Sequence, residues 1–186
     1  MRPWKLASET AALDRLSNGR VTLAVGLGAT DTGWEAFGEP TDRKTRAELT
    51  DEALDILTGL WRGQPFSYTG KHYTVKPLDF MPPPPPVQQP RIPVWASAMV
   101  RNERTLGRGA RRDGVILGEM ADGAMGVIDP EAVAEVAARP DAPADIVVAV
   151  PAGTDAEPYE EAGATWLLVS DWLDELRRLA SSPAGR

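Results

Sequence analysis

Apolar positions in this chain follow two rhythms, and the switches between them lay out its elements. From Pro3 to Leu16 they recur at helical spacing, with Trp4, Ala7 and Ala11 along one side and Leu6, Leu13 and Leu16 along another. Such a helix is expected to be largely buried. Proline suits its first turn, and Ser17-Asn18-Gly19 stops it. Val21 to Leu27 is a compact run with two apolar or small faces, the pattern of a parallel strand covered on both sides. A second helix is predicted from about Asp42 to Arg62, with Ala53, Leu54, Leu57, Leu60 and Trp61 as its apolar stripe. Thr41 or Asp42 caps its start and Gly63 follows its end. Phe66 to Val75 alternates around Thr69-Gly70, a hairpin signal. Pro82 to Pro86 reads as a stiff spacer in preference to a ligand for a proline-binding domain.

From Ile92 onward strands and helices alternate. Ile92 to Ala96, Gly114 to Leu117, Ile146 to Val150 and Trp166 to Val169 are the strands. Asn102 to Arg112, Pro130 to Ala138, Pro158 to Ala162 and Trp172 to Ala180 are the helices. With the strand at Val21 this makes five βα strands, and the alternation predicts a parallel sheet. A closed barrel needs about eight such strands; five also suit an open doubly wound sheet. No internal repeat and no linker divides the chain. One domain is expected over residues 1–186, with the hairpin and polyproline insertion at about 64–91.

Composition narrows the chemistry. The 186 residues are 42% apolar and 25% charged, ordinary for a globular domain. There is no cysteine, which excludes disulfides, thiolate metal sites and cysteine nucleophiles. A lone histidine, His72, argues against a histidine metal site. The net charge of −7, with basic residues scattered among acidic ones, argues against nucleic acid and anionic membranes as partners. No run reaches the roughly 18 apolar residues of a membrane span, and the first residues lack a signal-peptide apolar core. A cytoplasmic protein acting on a small organic molecule is the expectation.

The first strand ends in Gly26-Leu27-Gly28-Ala29-Thr30-Asp31, a glycine pair without the third glycine of a dinucleotide fingerprint. No acidic residue ends a second strand downstream, so a dinucleotide fold is disfavoured. The segment RPWKLASETAALDRLSNGRVTLAVGLG instead resembles the signature of luciferase-like monooxygenases, the flavin- or deazaflavin-dependent barrel enzymes related to bacterial luciferase. The resemblance continues through WEAFGEP, RAELTDEALDILTGLWRGQPFSYTGKHYTV, PVQQPRIPVWASA, ARRDGVIL and YEEAGATWLLVSDW, in the family's order. It implies an α/β fold, a partial TIM (β/α)8-type barrel comprising about strands 4–8 with their helices. It implies FMN or the 8-hydroxy-5-deazaflavin coenzyme as cofactor. In relatives, roughly three strands precede the segment that begins here at Met1, and they carry the floor of the flavin ring site and often a catalytic histidine or acid. Catalytic residues are therefore left unassigned.

In such a barrel ligands sit at the carboxyl ends of strands. The tips are Gly28 to Thr32, Ser97 to Asn102, Leu117 to Met120, Pro151 to Thr154 and Ser170-Asp171. The resemblance assigns Gly26, Gly28, Ser97, Ala98, Met99 and Asn102 to cofactor binding. The two glycines would let a ring approach, and the later tip would hold a phosphate by backbone N–H groups, with Arg101 or Arg104 neutralising it. Ala98 stands where relatives favour glycine. Beside these readings stand plainer ones: the glycines serve backbone geometry, and Ser97 and Asn102 cap the next helix. Asp31 is the acid nearest the glycine pair, whereas Ala29 and Thr32 occupy positions where deazaflavin relatives carry a carboxylate or amide. His72 reads as a structural residue of the hairpin. Glu119 and Asp171 read as caps or rim charges sooner than as acid–base groups, and Trp34 and Phe37 as packing aromatics under the loop. Two functions follow: a luciferase-like oxidoreductase or monooxygenase on an organic substrate, or a non-catalytic half-barrel. The open strand edges of a half-barrel predict a homo-oligomer or a partner chain. A natural protein extending beyond Met1 is a further possibility.

Overall fold

The computed structural model describes residues 2–28, 33–63, 65–78, 85–121 and 124–169. The chain forms two compact units, Met1–Pro93 and Val94–Arg186. All five predicted βα strands are present. The predicted terminal helix at Trp172 to Ala180 and most of the polyproline stretch lie outside the described residues. Among the described residues, no helix is long and apolar enough to cross a membrane.

In the first unit α1 (Pro3–Ser17) ends at Asn18, in the left-handed conformation (φ 56°), and leads into β1 (Leu23–Val25). The strand is shorter than the apolar run suggested. After a one-turn 3-10 helix (Trp34–Phe37) comes α2 (Arg43–Arg62). The Asp42 carboxylate accepts the Thr45 N–H at 2.8 Å and so satisfies an orphan donor of α2's first turn. The hairpin strands β2 (Phe66–Thr69) and β3 (Thr74–Leu78) follow, paired Tyr68 with Val75 and Thr69 with Thr74. The turn is therefore Gly70 to Tyr73, longer than the Thr69-Gly70 turn read from the alternation.

Helix α1 is less buried than its two apolar sides suggested. Trp4, Leu13 and Leu16 are 47%, 54% and 84% exposed, while Pro3, Ala7, Thr10, Ala11 and Asp14 are buried. Small residues bring the helix close to α2, where the Trp61 indole N–H donates to the Ala7 carbonyl at 3.2 Å. Asp14 is fully buried. Its carboxylate accepts from the Val87 N–H (2.7 Å), the Gln88 N–H (3.1 Å) and the Gln88 side-chain amide (2.7 Å). Burial pushes its carboxyl up, but the bonds from Gln88 and then Val87 prevail and hold it below the ordinary carboxylate value. A buried acid is tolerable on those terms.

In the second unit β4 (Val94–Met99), α3 (Glu103–Gly109), β5 (Gly114–Gly118), a short ribbon of β6 (Met120–Ala121) and β7 (Ala124–Met125), α4 (Pro130–Ala137), β8 (Asp145–Val150), α5 (Glu157–Glu161) and β9 (Trp166–Val169) follow in turn. Strands β4, β5, β8 and β9 lie side by side in that order, all parallel. Register puts Ala98, Leu117, Val148 and Leu167 in one row. That face packs with Leu106, Val133, Val136 and Tyr159 from the helices, and it is the unit's core. The other face carries Trp95, Gly114 and Asp145 in one row, with Trp166 beside it. The Asp145 carboxylate accepts both indole N–H groups, Trp95 at 2.9 Å and Trp166 at 3.1 Å, and the rings tilt at 56° with centroids 5.4 Å apart. A Cβ at Gly114 would come within 2.6 Å of Asp145 Cβ and 2.7 Å of Trp95 Nε1, so glycine is what lets this triad close.

Candidate functional site

The residues assigned to cofactor binding fall into two groups, one in each unit. In the first, exposure alternates through the end of β1: Leu23, Val25 and Leu27 are half-buried, whereas Ala24, Gly26 and Gly28 face outward. That outward face is nearly free of side chain, which suits the approach of a flat ring. Gly28 has a further duty. Its φ is 72°, and a Cβ there would lie 2.8 Å from Arg46 Nη2, the nitrogen that donates to the Leu27 carbonyl. A side chain would be strained and would displace the guanidinium that closes the strand end. Gly28 thus meets the backbone reading, while Gly26, with no positive φ, does not require it. Ala29 to Thr32, including Asp31, lie outside the described residues. Trp34 and Phe37, expected to pack under the loop, are 43% and 82% exposed. Their one-turn helix is held by its own backbone bonds, and Phe37 covers no core. Ala24, Gly26 and Gly28 also line a cavity of about 430 Å³, whose other walls come from α1, α2, Trp34 and Tyr73.

The hairpin turn is fixed to α2 by one carboxylate. Glu52 accepts the backbone N–H groups of Lys71 (2.8 Å), His72 (3.0 Å) and Tyr73 (2.9 Å). Desolvation raises its carboxyl, but the three bonds outweigh it and the net shift is downward. A Cβ on Gly70 would overlap Glu52 Oε2, so the turn closes over the acid only with glycine there. One helical turn earlier, Glu48 accepts from Lys71 Nζ (2.7 Å) and pairs with His72 Nε2 (2.8 Å), and those two bonds lower its carboxyl. His72 is structural, as the sequence suggested.

In the second unit the tip of β4 is mostly engaged with itself. Ser97 is exposed on the face away from the core, but Ala98 is 1% exposed within it. The Met99 N–H donates to Thr105 Oγ1 at 3.0 Å, and Asn102 Oδ1 accepts the Thr105 N–H at 3.3 Å. Asn102 is thus the cap of α3, as the plainer reading had it, whereas Ser97 sits within β4. Arg101 has a left-handed backbone (φ 59°) and pairs with Glu119 at 2.8 Å and Glu135 at 3.9 Å. Glu119, at the tip of β5, is therefore an ion-pair partner. A phosphate at this tip would find the Ser97 hydroxyl open to it but would have to exchange with Glu119 for Arg101. At the tip of β8, Thr154 closes back onto the Pro151 carbonyl through both its N–H (3.3 Å) and its hydroxyl (2.8 Å). Ser170 and Asp171 lie outside the described residues. Glu52, Asp14 and the Trp95–Asp145–Trp166 triad went unnoticed in the sequence, since each depends on a partner distant along the chain.

Comparison with known proteins fits this frame. The family model described as luciferase-like monooxygenase matches residues 1–178. A curated relative, the oxygenase component of a flavin-dependent trigonelline monooxygenase from Acinetobacter baylyi, is 29% identical over 96 residues, 52% of this chain and 26% of its own length. Among solved structures, the monooxygenase RslO1 from Streptomyces bottropensis aligns over 97% of this chain and 54% of its own, at 19% identity and TM-score 0.65. The coenzyme F420-dependent tetrahydromethanopterin reductase from Methanopyrus kandleri aligns over 87% and 50%, at 18% identity and TM-score 0.60. The chain thus spans about a quarter of the curated relative and about half of each solved one. These structural likenesses carry the fold: α/β, a partial barrel of (β/α)8 type with an added antiparallel hairpin. With its family model matched along nearly its whole length, the chain belongs to the luciferase-like monooxygenases.

Proposed function

We propose that this chain works in the cytoplasm as a luciferase-like oxidoreductase or monooxygenase on a small organic substrate, as a single domain with FMN or the 8-hydroxy-5-deazaflavin coenzyme. The observation that carries the reading is the family match over residues 1–178. The flavin dependence of the trigonelline enzyme component and the F420 dependence of the methanopterin reductase support the choice of cofactor class. A reduced flavin or deazaflavin supplies the hydride or activates oxygen, and the protein supplies orientation and a dry site. The exposed row of Ala24, Gly26 and Gly28 would take the face of the ring. Ser97, with Met99 and Asn102 shaping the turn and Ala98 packing beneath it, would meet the phosphate, and Arg101 would neutralise it by leaving Glu119. Absorbance titration of the purified chain with FMN and with the deazaflavin tests the reading. Saturable binding of one of them is expected; binding of neither overturns it.

A second reading is a non-catalytic half-barrel that associates with a copy of itself or with a partner chain. It is favoured by β9, where Trp166, Leu168 and Val169 are 51%, 40% and 67% exposed. Sedimentation at several concentrations tests it. A monomer at every concentration that also binds cofactor would exclude it.

A further inference from the structure

Strand β9 ends the row of parallel strands in the second unit, and among the described residues its outer edge pairs with no further strand. What that edge offers follows from how β9 meets β8. The Thr165 N–H donates to the Ile146 carbonyl at 2.8 Å, toward β8. Main-chain groups alternate in direction along a strand, so Leu167 and Val169 also turn theirs to β8, and Trp166 and Leu168 turn theirs outward. Side chains alternate in step. Leu167 packs against the core of the unit, while Trp166 and Leu168 lie on the opposite face and are exposed.

The edge carries none of the usual protections. From Ala162 to Ser170 there is no charged residue and no proline, in a chain that is 25% charged. Its register with β8 runs without a bulge from Trp166 to Val169. Two copies of a chain of net charge −7 repel over much of their surface, and an uncharged edge is where they can meet. Self-pairing also satisfies this edge in one register. With the strands antiparallel and a two-fold axis at Leu167, Trp166 of one copy lies opposite Leu168 of the other. The outward groups then face each other, and each such pair exchanges both of its N–H···O bonds. Both side chains of the pair lie on the same face, so the leucine covers the indole.

We propose that the chain forms a two-fold dimer by antiparallel pairing of β9 with β9 of a second copy, centred on Leu167, with Trp166 of each copy against Leu168 of the other. The inference rests on the half-barrel reading above and adds its partner and its register. One short strand covers far less than the roughly 1,200 Å² of a stable complex, so the dimer is weak and dissociates on dilution.

The chain has no cysteine, so introduced thiols report this interface alone. Sedimentation of the full chain should show a mass rising from one copy toward two with concentration. In the proposed register the two Leu167 Cα atoms lie about 4.5 Å apart, within disulfide reach, and Leu167→Cys should cross-link on mild oxidation. Thr165 lies opposite Val169 of the second copy at the same spacing, whereas the two Thr165 residues stand roughly 14 Å apart. Thr165→Cys and Val169→Cys should therefore each stay free alone and cross-link when mixed. Both positions are exposed, so the mixture decides if Leu167→Cys does not fold. Leu168→Pro removes an N–H that β8 does not use, which an edge strand accommodates, and should weaken association by roughly 5- to 150-fold. A dimer that lacks these cross-links, or that Leu168→Pro leaves intact, overturns the proposal while the half-barrel reading stands. Cross-linking of Leu167→Cys to a different chain in the cell, in place of a second copy, overturns it too. A monomer at every concentration also overturns it, and cofactor binding by that monomer excludes the half-barrel reading as well.

Discussion

Replacing Glu52 by alanine removes the acceptor for three backbone donors at once. The Lys71 N–H is exposed and water replaces the carboxylate there, so it contributes little. The N–H groups of His72 and Tyr73 are partly buried, at 3.0 and 2.9 Å from Glu52 Oε2. Hydrogen bonds to a charged acceptor contribute about 1.5–3 kcal/mol each, and partial solvation of the turn places the pair near the lower end of that sum, about 2–4 kcal/mol. The effect is local, since the turn opens without the rest of the unit. Native-state hydrogen exchange at residues 71–73 is therefore the assay. Protection should fall by roughly 30- to 1,000-fold, while Glu48→Ala, which touches only side chains of the turn, changes it far less. Loss of protection under about 3-fold in Glu52→Ala would refute the view that one carboxylate holds the hairpin. The same reasoning fixes a pH dependence. The Glu52 carboxyl is lowered from its ordinary 4.5 in the folded chain. Its stabilisation is complete above that value and is lost as pH falls through the lower folded one, because the opened state takes up the proton first.

Three further outcomes are expected. Asp14→Asn turns an amide NH2 toward the Val87 or Gln88 donors in a fully buried place, and should lower stability by about 2–4 kcal/mol in urea titration. Gly114→Ala forces a methyl between Trp95 and Asp145 and should cost about 1–3 kcal/mol, read as a lower Tm. Arg101→Gly relieves a left-handed backbone, worth about 1 kcal/mol or more, but loses the exposed pair with Glu119, worth about 0–1 kcal/mol. Its urea midpoint should stay close to that of the parent, and a marked destabilisation would show that the ion pair matters more than its exposure implies.

What the sequence revealed depended on how local the cause was. Helix α2 was legible almost to the residue, because its stripe, its Asp42 cap and the glycine after its end are all written within it. Strands β5 and β8 were legible as short apolar runs. The burial of α1 was overestimated because both of its apolar sides were taken as covered. Ala7 and Ala11 are buried as expected, but Trp4, Leu13 and Leu16 are not, and Asp14 went inside because donors from residues 87 and 88 meet it there. No periodicity carries that information. Glu52 is a similar case: a carboxylate on an amphipathic helix reads as a solvated face until a hairpin folds back over it. At the β4 tip the cap role of Asn102 was legible as one of two readings, whereas the answer of Glu119 to Arg101 was not, since it comes from the next strand.

The triad of Trp95, Asp145 and Trp166 also makes the second unit optically distinct. Two indoles held 5.4 Å apart and tilted at 56° couple their electronic transitions, and that coupling is chiral because the sheet fixes its hand. The shared carboxylate puts a negative charge at both indole nitrogens. The second unit therefore carries its own circular-dichroism label, sensitive to the register of β4 against β8, without any dye or engineered reporter. Unfolding of this unit can be followed separately from that of the first, whose tryptophans, Trp4, Trp34 and Trp61, form no such pair among the described residues.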